Sequence, residues 1–188
     1  MKALPIFSAL LLIICSSCSS SVSGTLIAKN QLGLINPETK ISELSSILVS
    51  DSIPELGENN DLMPNSEIDV YNKTGELSLI IEPDYVNDTI VTINEIRILD
   101  PRYKTKKGLS IDSNFKTIYE NYKIDNIQNS INNVILSIQE LGAYIVIDKK
   151  HLPSEIRFDS EAKIEANQIP NEAPIRYFWL RFEDQSTS

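Results

Sequence analysis

Cysteine is absent from most of this chain. Both cysteines of the 188 residues stand near the amino terminus, at positions 15 and 18. A body without cysteine can form no internal disulfide, and it offers no thiol nucleophile, thiolate metal ligand or redox pair. Its stability must therefore come from an apolar core, for which the chain is long enough.

Histidine and glycine are scarce as well. His151 is the single histidine, and the six glycines form neither a G-x-S-x-G turn nor a phosphate-binding loop. A Ser–His relay, a zinc site and a nucleotide site therefore lack their usual residues. The acidic stretch Glu55 to Asp61 lacks the ligand spacing of a calcium loop. We expect no metal and no cofactor, but paired carboxylates for glycoside hydrolysis stay open, because their partners can lie far apart in sequence.

Positive charge is also in deficit, with 17 Lys and Arg against 26 Asp and Glu and a formal net charge of −9. If the first 17 residues are removed, Lys2 leaves with them and the net charge becomes −10. A charge of this sign repels phosphate backbones, so we expect no nucleic-acid partner.

The amino terminus has the pattern of an export signal. Ala3 to Ile14 is mostly apolar but too short for a permanent span, which needs about 20 residues. Ser16-Ser17-Cys18 ends this run and resembles the bacterial lipoprotein box, in which a lipid-modified cysteine follows two small residues. The resemblance covers Met1 to Cys18 and implies lipidation of Cys18. Cys15, where an aliphatic residue is usual, departs from the pattern. The alternative is an ordinary secretory signal cut near Ser23.

The same resemblance implies a location. It divides the chain into a signal peptide (1–17), a lipidated Ser-rich tether (18–24) and a single β-rich domain (25–188). Ser19 replaces the Asp that retains enteric lipoproteins at the inner membrane, and the tether lacks the acidic cluster that exports lipoproteins of the Bacteroidota to the surface. We therefore expect an outer-membrane protein that faces the periplasm. Asp51-Ser52-Ile53 and Asp88-Thr89-Ile90 resemble the tripeptide that the Bacteroidota O-glycosylate.

The body of the chain favours strands. Isoleucine, a β-branched residue, occurs 28 times. Alternation predicts a hairpin over Glu67 to Glu82 that turns at Asn72 to Gly75 and stops at Pro83, which has no N–H for the ladder. Thr89 to Leu99 forms the next strand, and its apolar residues change parity near Asn94-Glu95, which indicates a bulge.

The other elements follow from the same patterns, and the class they predict is α+β: a mainly antiparallel meander of hairpins with one or two short helices. They are a strand in Leu26 to Ile35, a helix over Thr39 to Val49, a Ser-capped helix over Ser113 to Tyr122, a hairpin of Ile131 to Gln139 with Ala143 to Asp148, and a last strand over Ile175 to Phe182. This last strand is apolar on both faces, which is typical of a central strand or a contact surface.

Two groups of residues are candidates for partner binding. The first is a basic loop, Arg102, Lys104, Lys106 and Lys107, whose alternative interpretation is a solvated loop. The second is the aromatic pair Tyr177 and Trp179, which lies beside Arg176 and Arg181, because aromatic residues and arginine often anchor interfaces. The alternative there is core packing for Phe178 and a sheet-edge position for Trp179.

Together these observations predict a lipid-anchored envelope protein that acts as a non-catalytic binding or structural module. Its partner would be a protein or a small ligand. Two other functions stay open. An envelope hydrolase with paired carboxylates would need a cleft holding two acids about 10 Å apart or less. An immunity or inhibitor protein would need a flat, strongly acidic contact face.

Overall fold

The structure, a computed structural model, describes residues 24–54, 67–86, 89–159 and 161–182. The signal peptide, Cys18 and all of the tether except residue 24 lie outside the described residues. Within the described part, no helix is both long enough and apolar enough to cross a membrane.

Ten strands form two sheets. They are β1 Leu26–Ala28, β2 Gln31–Leu32, β3 Ile68–Tyr71, β4 Leu77–Val86, β5 Thr89–Ile98, β6 Lys104–Thr105, β7 Asn126–Asn129, β8 Asn133–Ile138, β9 Ala143–Asp148 and β10 Tyr177–Arg181. The large sheet has seven strands in the order β3-β4-β5-β10-β9-β8-β7, and every pair in it is antiparallel. The small sheet has the order β2-β1-β6 and includes a parallel pair, β1 with β6. The predicted α+β class is confirmed.

The helices are short. They are α1 Leu44–Ile47, α2 Phe115–Asn121 and α3 Ser154–Arg157, with 3-10 turns at Ile41–Glu43, Lys149–His151 and Ala166–Gln168. The predicted cap of α2 is wrong by one residue. Asn114 Oδ1 accepts the bond from the Thr117 backbone N–H at 3.4 Å, while Ser113 Oγ accepts from the Ser110 backbone N–H.

Both predicted hairpins are present. Gly75 and Gly142 supply positive φ values of 79° and 63° at their turns, which a glycine adopts without steric cost. The bulge near Asn94 is confirmed, because Glu82 pairs with Glu95 while Pro83 pairs with Ile93, which leaves Asn94 as the extra residue.

Several strand predictions fail, since Leu26 to Ile35 contains two short antiparallel strands and the predicted basic loop contains β6. Pro83 does not end its strand, since β4 runs on to Val86. The bulge breaks the ladder at this point, so the missing proline N–H costs little. The polar strand β7 was not predicted, because its sequence Asn-Ile-Gln-Asn has a single apolar residue.

Alternation along the strands gives the large sheet two different faces. Where its side chains are described, most of the inner face is buried, and it packs in one core with residues from the small sheet and from α1 and α2. Its central members are Ile96, Ile98, Phe178, Leu180 and Ile145. The outer face carries the residues between these on each strand, and they include partly exposed charged and aromatic residues as well as the buried Ile80 and Val146.

Candidate functional site

Arg102 of the predicted basic loop is engaged within the molecule. Its Nη2 lies 2.8 and 2.7 Å from the two carboxylate oxygens of Asp51 and donates to Ser78 Oγ at 3.2 Å. Its Nε lies 3.0 Å from Asp100 Oδ2. The Asp51 and Asp100 side chains are only 4% and 9% exposed. Arg102 therefore joins three separate segments of the chain, and a part in partner binding stays a prediction for it.

The three lysines of the basic loop differ in their surroundings. Lys107 Nζ donates to the Asn121 carbonyl at 2.5 Å and lies 4.4 Å from the centre of the Tyr122 ring. Lys104 and Lys106 are exposed. Lys104 belongs to β6 of the small sheet, whereas Tyr177 and Trp179 belong to β10 of the large sheet. The two predicted groups thus belong to different sheets.

Tyr177 and Trp179 lie on the outer face of the central strand. β10 is the fourth of seven strands and pairs with β5 on one side and β9 on the other, which confirms the prediction of a central strand. The sheet-edge position considered for Trp179 is therefore wrong. Phe178, between the two, points to the inner face with no exposed surface, so its core packing is confirmed. Both outer-face rings are partly exposed.

Arg97 completes this aromatic surface, and the sequence did not single it out. The register pairs Arg97 of β5 with Trp179. Its guanidinium carbon lies 5.0 Å from the centre of the Trp179 ring and 6.0 Å from the centre of the Tyr177 ring. Alternation within β5 does place Arg97 opposite the buried Ile96 and Ile98. The missing information was the partner strand, which lies about 80 residues later in the chain.

Two more arginines of the outer face stack on rings. Arg176 lies 5.1 Å from the Tyr177 ring centre, and Arg181 lies 5.2 Å from that of Tyr144 on β9. Guanidinium groups near aromatic faces are attracted by the ring quadrupole. We call these six residues the arginine–aromatic patch: Arg97, Tyr144, Arg176, Tyr177, Trp179 and Arg181.

Each arginine of the patch also has an acidic neighbour. Nitrogen-to-oxygen distances are 3.1 Å from Arg181 to Glu95, 3.2 Å from Arg176 to Asp148 and 3.9 Å from Arg97 to Glu67. The patch is therefore close to electrically neutral, and its surface alternates flat rings with paired charges.

Glu95 is an acidic residue of the outer face whose pKa is shifted. Burial raises its pKa above the ordinary glutamate value, and the charge of Glu82 across the strand pair raises it further, while Arg181 acts in the opposite direction. The register pairs Glu82 with Glu95 on neighbouring strands, so these two residues are a candidate for the paired carboxylates considered above. A hollow beside Tyr144 and Arg181 measures only about 50 Å³.

Replacing Glu95 with glutamine tests whether its pKa is raised in the folded protein. Because the pKa is raised in the folded state, wild-type stability falls as pH rises from the ordinary glutamate pKa to the raised one. We expect the stability of E95Q relative to wild type to increase across that window and to level off above it. Urea denaturation at a series of pH values measures the difference. Arg181 lowers the pKa of Glu95, so in an R181Q background the pH window should extend to higher pH. A stability difference between E95Q and wild type that does not change with pH would contradict the raised pKa of Glu95.

A second hollow lies at the end of β9. It has a volume of about 260 Å³ and is lined by Asp148, Lys150, His151 and Arg176 among others. His151 is half-buried there. The Asp148 carboxylate accepts from the Lys150 backbone N–H and lies 3.2 Å from Arg176, so the cations of this hollow already have an internal anion. Over the described residues, no group of three or more His, Cys, Asp or Glu side chains could hold a metal ion.

The first glycosylation-like tripeptide is partly accessible. Ser52 is exposed, and its backbone pairs with Tyr71 through two 2.8 Å bonds, while the Asp51 carboxylate is held by Arg102. Asp88, which begins the second tripeptide, lies outside the described residues.

Comparisons with known proteins reveal one distant structural likeness. No family model matches the chain, and no curated protein sequence matches it. The crystal structure of the uncharacterized protein YfeY from Escherichia coli is similar over 86% of this chain and 99% of that one, with a TM-score of 0.45 and 13% sequence identity. At this level the likeness carries no functional argument.

Proposed function

We propose that this protein is a lipid-anchored module of the cell envelope, tethered through Cys18 at the periplasmic face of the outer membrane, that binds a partner protein without catalysing a reaction. The arginine–aromatic patch is the observation that supports binding. It gathers three arginines and three large rings on one partly exposed face, and these are the residue types that most often dominate interface energetics.

The geometry of the patch also favours docking. Rings and guanidinium groups that already contact one another lose little conformational freedom when a partner arrives, so more of the interaction energy remains for affinity. The patch lies on the central strands of a seven-stranded sheet, which provide a firm support. An immunity protein would instead require a strongly acidic face, and here Glu67, Asp148 and Glu95 each lie next to an arginine of the patch.

A carboxylate hydrolase is the second candidate, supported by Glu82 and the raised pKa of Glu95. A raised pKa suits a general acid. If purified protein cleaves a glycan at an ordinary enzymatic rate and E95Q abolishes that cleavage, this candidate replaces the binding module.

Metabolic labelling tests the lipid anchor. Cells that express the wild-type chain and are grown with labelled palmitate should yield labelled protein in the membrane fraction. C18S should carry no label, because it removes the sulfur that forms the thioether. The matched control is C15L, which replaces the other cysteine with the residue usual at that position and should label as well as wild type. Unlabelled wild-type protein in the soluble fraction would refute the anchor.

Site-specific photocrosslinking tests the docking surface. A photoreactive amino acid at position 144, within the patch, should give one defined crosslinked species in intact cells. The matched control is position 119, where a tyrosine on α2 is 53% exposed outside the patch. Equal crosslinking from both positions would show that the patch has no special role.

A further inference from the structure

Arg97 differs from the other two arginines of the patch in the hydrogen bonds that its guanidinium group makes. Arg176 and Arg181 each make hydrogen bonds to acidic side chains. Arg97, in contrast, makes no hydrogen bond to any part of the chain that the structure describes, and its Nε is buried without a partner. Its nearest carboxylate oxygen, on Glu67, lies 3.9 Å away, beyond hydrogen-bond distance.

A buried guanidinium nitrogen without an acceptor is costly. The Arg97 side chain is only 25% exposed, so most of its hydration is lost, and a buried donor without an acceptor carries a desolvation cost. Trp179 and Tyr177 stabilise the charge from one side through their rings, but a ring face accepts no strong hydrogen bond. Nε of Arg97 therefore has no acceptor in the described part of the chain, and Glu67 is too far from Nη2 to accept a hydrogen bond.

The acceptor that fits is a planar oxyanion. Nε itself is closed to an incoming partner, but the two terminal nitrogens of Arg97 are not among the buried unpartnered atoms. Such a pair of nitrogens matches a carboxylate through two parallel hydrogen bonds. A doubly charged phosphate fits less well, because Glu67 lies beside Arg97 and Glu82 and Glu95 lie further along the outer face of the same strands. A single negative charge faces less repulsion from these neighbours.

We propose that Arg97 is the anchor of the docking surface and binds the carboxylate of an Asp or Glu side chain carried by the partner protein. This inference rests on the proposed binding function and adds the chemistry of the partner's contact. Trp179 and Tyr177 hold the guanidinium in place, so that the fork is oriented before the carboxylate arrives.

Trp179 makes the inference directly measurable. It is the single tryptophan of the chain, and its ring lies 5.0 Å from the Arg97 guanidinium carbon. Tryptophan emission, excited selectively over that of the seven tyrosines, therefore reports on this one site. The probe is the blocked peptide Ac-Ala-Glu-Ala-NH2, titrated into the purified domain at constant ionic strength, with Ac-Ala-Gln-Ala-NH2 as the neutral control.

We expect a saturable change in Trp179 emission with the Glu peptide and binding at least about tenfold weaker with the Gln peptide, since a charge-assisted hydrogen bond is worth about 1.5 kcal/mol or more. R97Q should abolish the response, and R97K, which keeps the charge but loses the fork, should weaken it. K123Q is the control, because it removes a cation that is 84% exposed and lies outside the patch, and it should leave the response unchanged. Inorganic phosphate should bind more weakly than the Glu peptide.

Three results would overturn the inference: equal binding of the Glu and Gln peptides, an unchanged response in R97Q, or tighter binding of phosphate. Urea denaturation of R97Q and R97K confirms that each variant is folded before titration. The two proposals can fail separately. If position 144 still crosslinks to a defined species in an R97Q chain, the module docks its partner without Arg97, and only this inference fails. If position 144 gives no crosslinked species with Arg97 in place, the proposed docking surface itself is wrong.

Discussion

Replacing Phe178 with alanine should lower the free energy of unfolding by about 3 to 5 kcal/mol, the range typical of a deleted core phenylalanine. Phe178 has no exposed surface and lies on the central strand, where the inner face meets the core. The strands on both sides hold the backbone in place, so the core cannot easily close around the cavity. Urea denaturation of wild type and F178A measures the loss.

The adjacent residue supplies the matched control. Trp179 is larger than Phe178 but faces outward, so W179A should lose only about 1 to 2 kcal/mol, within the range of ordinary substitutions. Its main effect should fall on binding, with loss of the crosslink from position 144. If W179A were the more destabilising of the two, the assignment of inner and outer faces would be reversed.

Replacing Arg102 with methionine should cost about 3 kcal/mol of stability, the lower part of the range for breaking a buried ion pair. The cost arises because Asp51 and Asp100, 4% and 9% exposed, would be left without their cation. The lower part of the range applies because the Arg102 side chain is itself 32% exposed. The midpoint of urea denaturation provides the measurement.

Two further variants distinguish the effect of a positive charge from the effect of the contacts that Arg102 makes. R102K keeps a positive charge but cannot contact Asp51, Asp100 and Ser78 at once, so it should lose less than R102M. K104M removes a cation from the exposed part of the same loop and should change stability by no more than about 0.5 kcal/mol. Equal losses of stability for K104M and R102M would show that the net charge of the loop determines stability, and that the contacts of Arg102 with Asp51, Asp100 and Ser78 do not.

Predictions about neighbouring residues were the most reliable. The two hairpins, which turn at Gly75 and Gly142, span 19 and 16 consecutive residues, and alternation with a glycine turn is enough to predict them. The bulge at Asn94 also came from one strand, through its change of parity. The polar strand β7 was not predicted from the sequence. It is an edge strand whose backbone hydrogen bonds go to β8, so it needs few apolar contacts of its own.

Predictions that depended on distant partners were incomplete. Arg102 looked like one cation among four in a loop, and only the fold brings Asp51 and Ser78 to it from 51 and 24 residues away. The aromatic pair on β10 was recognised, but Arg97 was not, because nothing in β5 indicates which strand will lie next to it. Pro83 showed the same limitation, since the bulge that accommodates it belongs to the other strand.

The amino-acid sequence by itself determined the class of the domain, its hairpins, the absence of disulfides and thiol chemistry from residues 19–188, and the signal-like pattern that ends at Cys18. These depend on composition and on residues a few positions apart. Only the tertiary structure decided that Arg102 forms ion pairs with two buried acids, that Trp179 lies on the central strand, and that Arg97 lies against two rings with its Nε lacking an acceptor. The physical reason is that strand order and register arise from packing across the whole chain, and a site built on several strands exists only once they have paired.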